Sequence, residues 1–188
     1  MKHIATTLLL LLLVSCQADV PVSEEVNIYQ TVSIKQEFPE VLMLAQSWSE
    51  DALLFRVSVP VINPNALSIR VNSEYVFESP TNLGEQFVVF CESTKCNSKI
   101  YEPNALFMDY GVEAINLDDV RVDSIEAVKI ALRNGGDNHI KNSSRHGDVT
   151  LGRNKEGTLH WVGYFIGENG TIYIYIDPES GKVTEIDD

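Results

Sequence analysis

The clearest hydrophobic pattern in the chain predicts a helix within "DVRVDSIEAVKIALRNGG", residues 119–136. Apolar residues recur there at spacings of three and four, which is typical of a helix with one buried stripe. Asp123 is the predicted N-cap, Glu126 its capping-box partner, and Gly135 the left-handed residue at the C-terminal end. The predicted stripe consists of Ile125, Val128, Ala131 and Leu132.

Alternating patterns after this helix predict an antiparallel sheet. Residues 137–147 are polar and are predicted to form a loop. The segments that follow alternate apolar and polar positions, as strands with one buried face do, and "GENG" and "PESG" supply turn residues. The predicted strands are "DVTLGR", "TLHWVGYFI", "TIYIYID" and "KVTEID".

The N-terminal half has the same order of patterns. Apolar spacings of three and four between Phe38 and Trp48 predict a helix that ends before "SED". Strands are predicted in "ALLFRVSVPVI", "ALSIRVNSEYVFE", "EQFVVFCE" and "NSKIYEP".

Together these patterns predict an α+β protein built from two helix-plus-antiparallel-meander units, residues 31–110 and 111–188. Each sheet is expected to pack on one helix. Because the halves share this order while their sequences differ, we hypothesise a degenerate repeat. A helix followed by a meander is common enough to arise twice by chance, so both origins stay open.

The N-terminus has the pattern of an export signal. Lys2 and His3 precede an apolar run, residues 4–14, that is too short to span a bilayer. Its end, "LVSC", resembles the bacterial lipobox, in which the leader (here residues 1–15) is removed and the cysteine is acylated. The resemblance implies a lipid anchor such as palmitate on Cys16, followed by a flexible tether over residues 16–30.

The residues after Cys16 indicate where the exported protein is delivered. Gln17 at the next position resembles lipoproteins sorted to the outer membrane, which implies the periplasmic face of that membrane. Ordinary secretion with cleavage after Ala18 is the alternative.

Composition limits the partners. The formal net charge is −13, so the surface repels nucleic acid and anionic headgroups, and neither is expected as a ligand. No second apolar run approaches the roughly 20 residues of a transmembrane helix, so the acyl anchor is the only membrane contact that we expect.

Two further cysteines, Cys91 and Cys96, flank the predicted turn "ESTK". A disulfide there would close a hairpin and contribute about 2 kcal/mol by loop-entropy arithmetic. A redox pair or half of a metal site is the alternative. The four-residue spacer differs from a thioredoxin-like C-x-x-C, and the chain has no second cysteine pair for zinc.

Three segments, in order, resemble the PepSY and PepSY-like domains: "DSIEAVKIAL", "LHWVGYFI" and "YIYIDPESGKVTEI". In that family a helix of the type "EAxxIAL" precedes a strand with an aromatic core residue, and "YxIDxxTGKV" closes the domain. The likeness covers about residues 120–188, and a weaker version covers 37–100.

The resemblance implies a non-catalytic, protein-binding module. PepSY domains occur in propeptides of secreted metalloproteases, which they are thought to inhibit or escort, and also alone in exported proteins and lipoproteins. This chain carries no H-E-x-x-H motif, so inhibition of a hydrolase would act in trans. A structural or envelope-assembly lipoprotein without a discrete ligand is the alternative.

The closing motif has a folding explanation of its own. Pro178 presets a turn, Asp177 or Ser180 can cap its amides, and Gly181 can adopt a positive φ. We therefore interpret these residues as determinants of the fold.

One strand favours binding. In "TIYIYID" isoleucines alternate with tyrosines, so Tyr173 and Tyr175 share one face, and Tyr164 can join them across the hairpin. Left exposed, the three tyrosines form a platform for a protein partner, such as an exported hydrolase or envelope protein. Covered by the other half of the chain or by a second copy, they are internal packing.

Enzyme motifs are missing from the sequence. His139 and His146 flank the polar stretch with Asp137 and Asp148 nearby, but no spacing matches a known metal-ligand pattern. No nucleophile elbow or phosphate-binding glycine loop occurs. We therefore expect no catalytic activity, no metal and no cofactor.

Overall fold

The described part of the chain contains two longer α-helices, one short α-helix, a 3-10 turn (Leu117–Asp119), a kinked helical segment (Leu132–Gly136) and eight strands. The structure, a computed structural model, describes residues 31–61, 72–92, 95–102, 113–141, 147–168 and 170–188. The helices are α1 (Ile34–Trp48), α2 (Ser124–Ala131) and α3 (Asp137–Lys141). The strands are β1 (Leu53–Val61), β2 (Ser73–Glu78), β3 (Gln86–Glu92), β4 (Lys95–Tyr101), β5 (Gly147–Arg153), β6 (Leu159–Gly167), β7 (Gly170–Ile176) and β8 (Val183–Asp187).

All eight strands belong to one antiparallel sheet with the order β4-β3-β2-β1-β5-β6-β7-β8. The α+β class and the antiparallel meanders are confirmed. The expectation of two sheets, each packed on its own helix, is wrong, because β1 and β5 pair with each other and join the halves edge to edge. Pairing removes two open edges, which would otherwise leave backbone groups without partners. The repeat itself stays a prediction.

Both longer helices cover the same side of this sheet. Directly paired residues of neighbouring strands point to the same side, and Val57 pairs with Leu151 at the junction. Both residues are fully buried in a core that also includes Val41 of α1 and Val128 of α2. We call this side the helix face and the opposite side the open face. Within the described ranges, no helix packs on the open face.

The starts of α1 and α2 are joined across the middle of the fold. The Ser124 hydroxyl donates to the Val32 carbonyl oxygen at 2.6 Å and accepts from the Ile34 amide at 3.0 Å. The Ser33 hydroxyl donates to the Asp123 carboxylate, which also accepts from the Ser124 amide at 2.8 Å. We call these four hydrogen bonds the helix junction.

The predicted cap of α2 is confirmed at Asp123, but its predicted partner is not. Glu126 lies with its carboxylate 3.9 Å from the Lys129 ammonium, and its side chain is about half exposed. A capping-box glutamate would accept from the Asp123 amide, whereas the contact observed here is on the Asp123 side chain, which accepts from the Ser33 hydroxyl, 90 residues away in sequence. The predicted capping-box bond is thus absent from the described contacts of Glu126, and a tertiary contact holds the Asp123 side chain.

A partly buried carboxylate ties α1 to β2. Glu37 Oε2 accepts hydrogen bonds from the Ser73 hydroxyl at 2.6 Å and from the Tyr75 hydroxyl at 2.8 Å. Burial, followed by the charge of Glu37, raises the pKa of Tyr75, so the phenol keeps the proton that it donates.

The segment after α2 differs from the predicted polar loop. Gly135 has the predicted positive φ, 125°, but the chain continues into α3, and Ile140 of α3 is buried. Residues 137–141 are therefore helical, because one apolar residue anchors the segment on the core. The rest of that stretch up to residue 146 lies outside the described residues.

The ring of Phe165 occupies a space left by three glycines. A Cβ added at Gly136, Gly147 or Gly163 would approach a carbon of this ring to 2.6, 2.3 and 2.8 Å respectively. Phe165 is fully buried, and it pairs directly with Gly147 across β5 and β6. Close packing of helix and sheet at this point therefore requires positions without side chains.

The loop that enters β1 contains a carboxylate with three hydroxyl donors. Asp51 Oδ1 accepts from Ser49 at 2.6 Å, Ser79 at 2.5 Å and Thr81 at 3.0 Å. These bonds, that of Ser49 first, lower the pKa of Asp51 from 3.8 to about 2.

A lowered carboxyl pKa predicts a specific loss of stability in acid. The contribution of Asp51 is present above pH 3.8 and is lost as the pH falls through 3.8 towards 2. We expect Asp51→Asn to be less stable than the wild type at pH 6, and this difference to shrink between those two pH values. Urea unfolding of both proteins at a series of pH values measures it, and a difference that stays constant in acid would contradict this explanation.

Candidate functional site

Strand β7 places its isoleucines and tyrosines on opposite sides of the sheet. Ile174 and Ile176 are fully buried on the helix face. Tyr173 and Tyr175 alternate with them and therefore lie on the open face. Tyr164 pairs directly with Tyr173, so the three predicted tyrosines are brought together on one surface.

One row of directly paired residues crosses four strands of the open face. Asp148 of β5 pairs with Tyr164 of β6, which pairs with Tyr173 of β7, which pairs with Asp187 of β8. The two rings are tilted by 38° with centroids 5.1 Å apart. We call these four residues the tyrosine–carboxylate row.

A second row lies beside the first. Tyr175 pairs with Val162 on one side and with Glu185 on the other. The His160 ring meets Tyr175 edge-on at 6.1 Å. Partial burial, then the charges of Glu185 and Asp187, raise the pKa of Tyr175, so its hydroxyl remains a hydrogen-bond donor in alkaline solution.

Solvent reaches this surface. Tyr173 is 37% exposed, and Asp187 and Glu185 are exposed at the edge strand. Tyr164 and Tyr175 are partly buried by their neighbours on the sheet. The C-terminal half of the open face is thus a partly apolar surface with carboxylates along its border.

The N-terminal half of the open face contains a cavity of about 170 Å³. The floor of the cavity is apolar. The guanidinium of Arg56, which lines the cavity, is already paired, since its Nη2 lies 2.7 Å from Glu74 Oε1. On the neighbouring edge strand, the Lys99 ammonium stands 4.6 Å from the ring centroid of Tyr101. The cavity is lined by Arg56, Glu74, Val76, Gln86, Val88, Phe90 and Tyr101.

Cys91 and Cys96 form a disulfide between directly paired positions of β3 and β4. Cys91 is buried on the helix face, at the opposite end of the sheet order from the tyrosines. The bond attaches the exposed edge strand β4 to the core, as the structural interpretation of this pair requires.

The predicted histidine pair does not form a site in the described residues. The ring of His139 lies against Gly167, with Nδ1 3.1 Å from the Gly135 carbonyl oxygen, and His146 lies outside the described residues. Among the residues that the structure describes, no group of three or more His, Cys, Asp or Glu side chains is placed to hold a metal ion.

The closing turn has the predicted geometry. Asp177 accepts from the Ser180 hydroxyl at 2.6 Å and from the Ser180 amide at 2.7 Å, and both bonds lower its pKa. Gly181 has φ = 73°. The Pro178 carbonyl oxygen accepts from the amides of residues 121 and 122, so the turn also holds the entry to α2.

The border carboxylates and His160 are the residues that the sequence did not assign to this surface. Alternation along β5 and β6 was enough to place Asp148 and His160 opposite the buried residues. Glu185 and Asp187 could not be placed, because the register of β8 shifts at a bulge between Tyr175 and Ile176.

The predicted lipid anchor Cys16 lies outside the described residues. In the part of the chain that the structure describes, no helix is long and apolar enough to cross a membrane.

Comparison with known proteins supports the family resemblance in the C-terminal part. Residues 125–187 match the PepSY family, described as "Peptidase propeptide and YPEB domain". The match confirms the resemblance over about a third of the chain. The weaker likeness over residues 37–100 stays a prediction.

A solved structure shares the fold. It is the crystal structure of a "putative lipoprotein" from Clostridium difficile 630, with a TM-score of 0.54 and 13% sequence identity. The alignment covers 80% of this chain and 91% of that chain. No curated protein matches the sequence.

Proposed function

Starting from the PepSY match over residues 125–187, we propose that this chain is an exported, non-catalytic module that binds another protein through its open sheet face. The observation that carries the proposal is the exposure of the tyrosine surface. Both longer helices pack on the other face, and Tyr173 is left 37% exposed beside Tyr164 and Tyr175. Tyrosines contribute large contact areas to interfaces at a small cost in side-chain entropy.

The specific form of the proposal is that the module inhibits or escorts a secreted hydrolase, as the PepSY resemblance implies. In this form of the proposal, inhibition acts in trans on a hydrolase carried by a separate chain. Acylation of Cys16 tethers the module to the periplasmic face of the outer membrane. The fold shared with a protein described as a lipoprotein supports this tether.

A photo-crosslinking amino acid at position 173 tests the binding function in the intact, membrane-anchored protein. We expect it to capture a discrete exported protein, because the side chain at this position projects from the open face. Mass spectrometry of the crosslinked band identifies the protein. The matched control places the same amino acid at the exposed position of Arg133, after α2, where no capture is expected.

Capture of only this chain or of its own copies from position 173 would contradict the binding function. The tyrosine surface would then be an internal contact, and the structural or envelope-assembly role would replace the proposal. Equal capture from positions 173 and 133 would also count against a specific face.

Acylation is predicted separately. Cys16→Ser removes the only thiol of the lipobox-like segment, so we expect loss of palmitate-analogue labelling and of membrane association. Fractionation and labelling of cells measure both. The control, Gln17→Ala, keeps the thiol and should remain acylated, and persistent labelling of Cys16→Ser would refute the anchor.

A further inference from the structure

The tyrosine–carboxylate row is complementary to positive charge. Tyr164 and Tyr173 present adjacent aromatic rings, and Asp148 and Asp187 stand one strand away on either side. Cations are attracted to aromatic faces and to carboxylates alike, so the four residues act in the same direction.

We propose that this row is the recognition site for an extended segment of the partner protein that carries arginine or lysine at alternate positions. The proposal rests on the proposed binding function and names the chemistry of its partner. It applies to the C-terminal half of the open face.

The dimensions of the row fit such a segment. Three strand spacings separate Asp148 from Asp187, a span of about 14 Å. In an extended chain, side chains two residues apart point the same way and lie about 7 Å apart. Basic side chains at positions i and i+4 therefore reach the two carboxylates, while position i+2 lies over Tyr164 and Tyr173.

The positions of Lys and Arg on the open face favour its C-terminal half as the binding site for a basic segment. Strands β5–β8 place no Lys or Arg on their open face. The N-terminal half of the same face presents Arg56 and Lys99, and Lys99 already stands over the ring of Tyr101 at 4.6 Å. Among the described residues, a tyrosine–cation contact thus lies in the N-terminal half of this face, and we assign the tyrosines of the C-terminal half to a cation from the partner.

The charge of the whole chain acts in the same sense. A net charge of −13 raises the local concentration of basic segments and repels acidic ones before contact. Such steering weakens as ionic strength rises, since salt screens exposed charges over about 8 Å at physiological ionic strength.

The test uses three ten-residue peptides and the mature, full-length protein in an uncharged detergent. The first peptide alternates Arg with Ala, the second replaces Arg by citrulline, which keeps the shape without the charge, and the third replaces Arg by Glu. Fluorescence anisotropy measures the binding of each. We expect the Arg peptide to bind at least about tenfold more tightly than the citrulline peptide, and the Glu peptide not to bind.

Variants assign the binding to the row. We expect Asp187→Asn and Tyr173→Leu each to lower the affinity for the Arg peptide by about three- to tenfold. Asp187 is chosen because Asp148 also interacts within the fold. The matched control is Asp119→Asn, which removes the same charge from an exposed position outside the sheet and should change the affinity by less than about twofold. Circular dichroism confirms that each variant is folded.

Equal weakening by Asp119→Asn and Asp187→Asn would overturn the proposal, because the peptide would then respond only to net charge. Equal affinities for the Arg and citrulline peptides would overturn it as well. If position 173 captures a discrete protein while no basic peptide binds, the cationic partner is wrong and the binding function stands. If position 173 captures only the chain itself, the binding function fails, and this inference fails with it.

Discussion

Gly147→Ala is expected to lower the free energy of unfolding by about 3 kcal/mol, near the upper end for overpacking of a core. An added Cβ would lie 2.3 Å from a ring carbon of Phe165 and 2.6 Å from the backbone oxygen of Tyr164. The ring is fully buried and the oxygen belongs to a paired strand, so neither can move without disturbing β6. Urea unfolding of the purified protein measures the loss.

The same strand offers a matched control. A Cβ added at Gly152, also on β5, meets no atom within 4 Å, so Gly152→Ala should change stability by less than about 0.5 kcal/mol. Phe165→Leu removes the aromatic edge and should relieve part of the cost of Gly147→Ala, with a coupling of about 1 kcal/mol. Similar losses for the two alanine variants would mean that the close approach to Phe165 does not set the cost of Gly147→Ala.

Local patterns predicted the elements that carry the tyrosine surface. Alternation in "LHWVGYFI" and "TIYIYID" has a period of two, and a sheet with one covered face must bury one of the two sets. The isoleucines are the buried set, so the side on which Tyr173 and Tyr175 lie follows from the sequence. The exposure of that side does not follow, because it depends on where the helices pack.

Contacts between distant segments account for what the sequence could not predict. The β1–β5 pairing joins residues about 90 positions apart, and nothing in either strand distinguishes an edge that stays open from one that pairs. The cap of α2 shows the same limit, since Glu126 fits the capping-box pattern but lies beside Lys129, and the Asp123 side chain accepts from Ser33, 90 residues away. Glu185 and Asp187 were missed because a bulge sets the register of β8.

The Ser124 hydroxyl makes two of the four hydrogen bonds of the helix junction, and Ser124→Ala removes both. Ser124 is fully buried, so the variant leaves the buried Ile34 amide and the partly buried Val32 carbonyl oxygen without this partner. Each unsatisfied buried group costs about 1–3 kcal/mol, so we expect a loss of about 2–4 kcal/mol in urea unfolding.

Hydrogen exchange distinguishes a loss at the junction from a general loss of packing. Relative to the wild type, Ser124→Ala should increase the exchange rates of the Ile34 amide and of the first turn of α1 more than those of the amides of β6 and β7. The reason is that the missing hydroxyl capped that turn. Ser47→Ala is the control, since Ser47 lies on an exposed side of α1 and its hydroxyl bonds only within the helix, to the Leu44 carbonyl oxygen. It should cost less than about 0.5 kcal/mol. A loss for Ser124→Ala no larger than that of the control would mean that the hydroxyl between the two helix starts contributes nothing measurable to joining the halves.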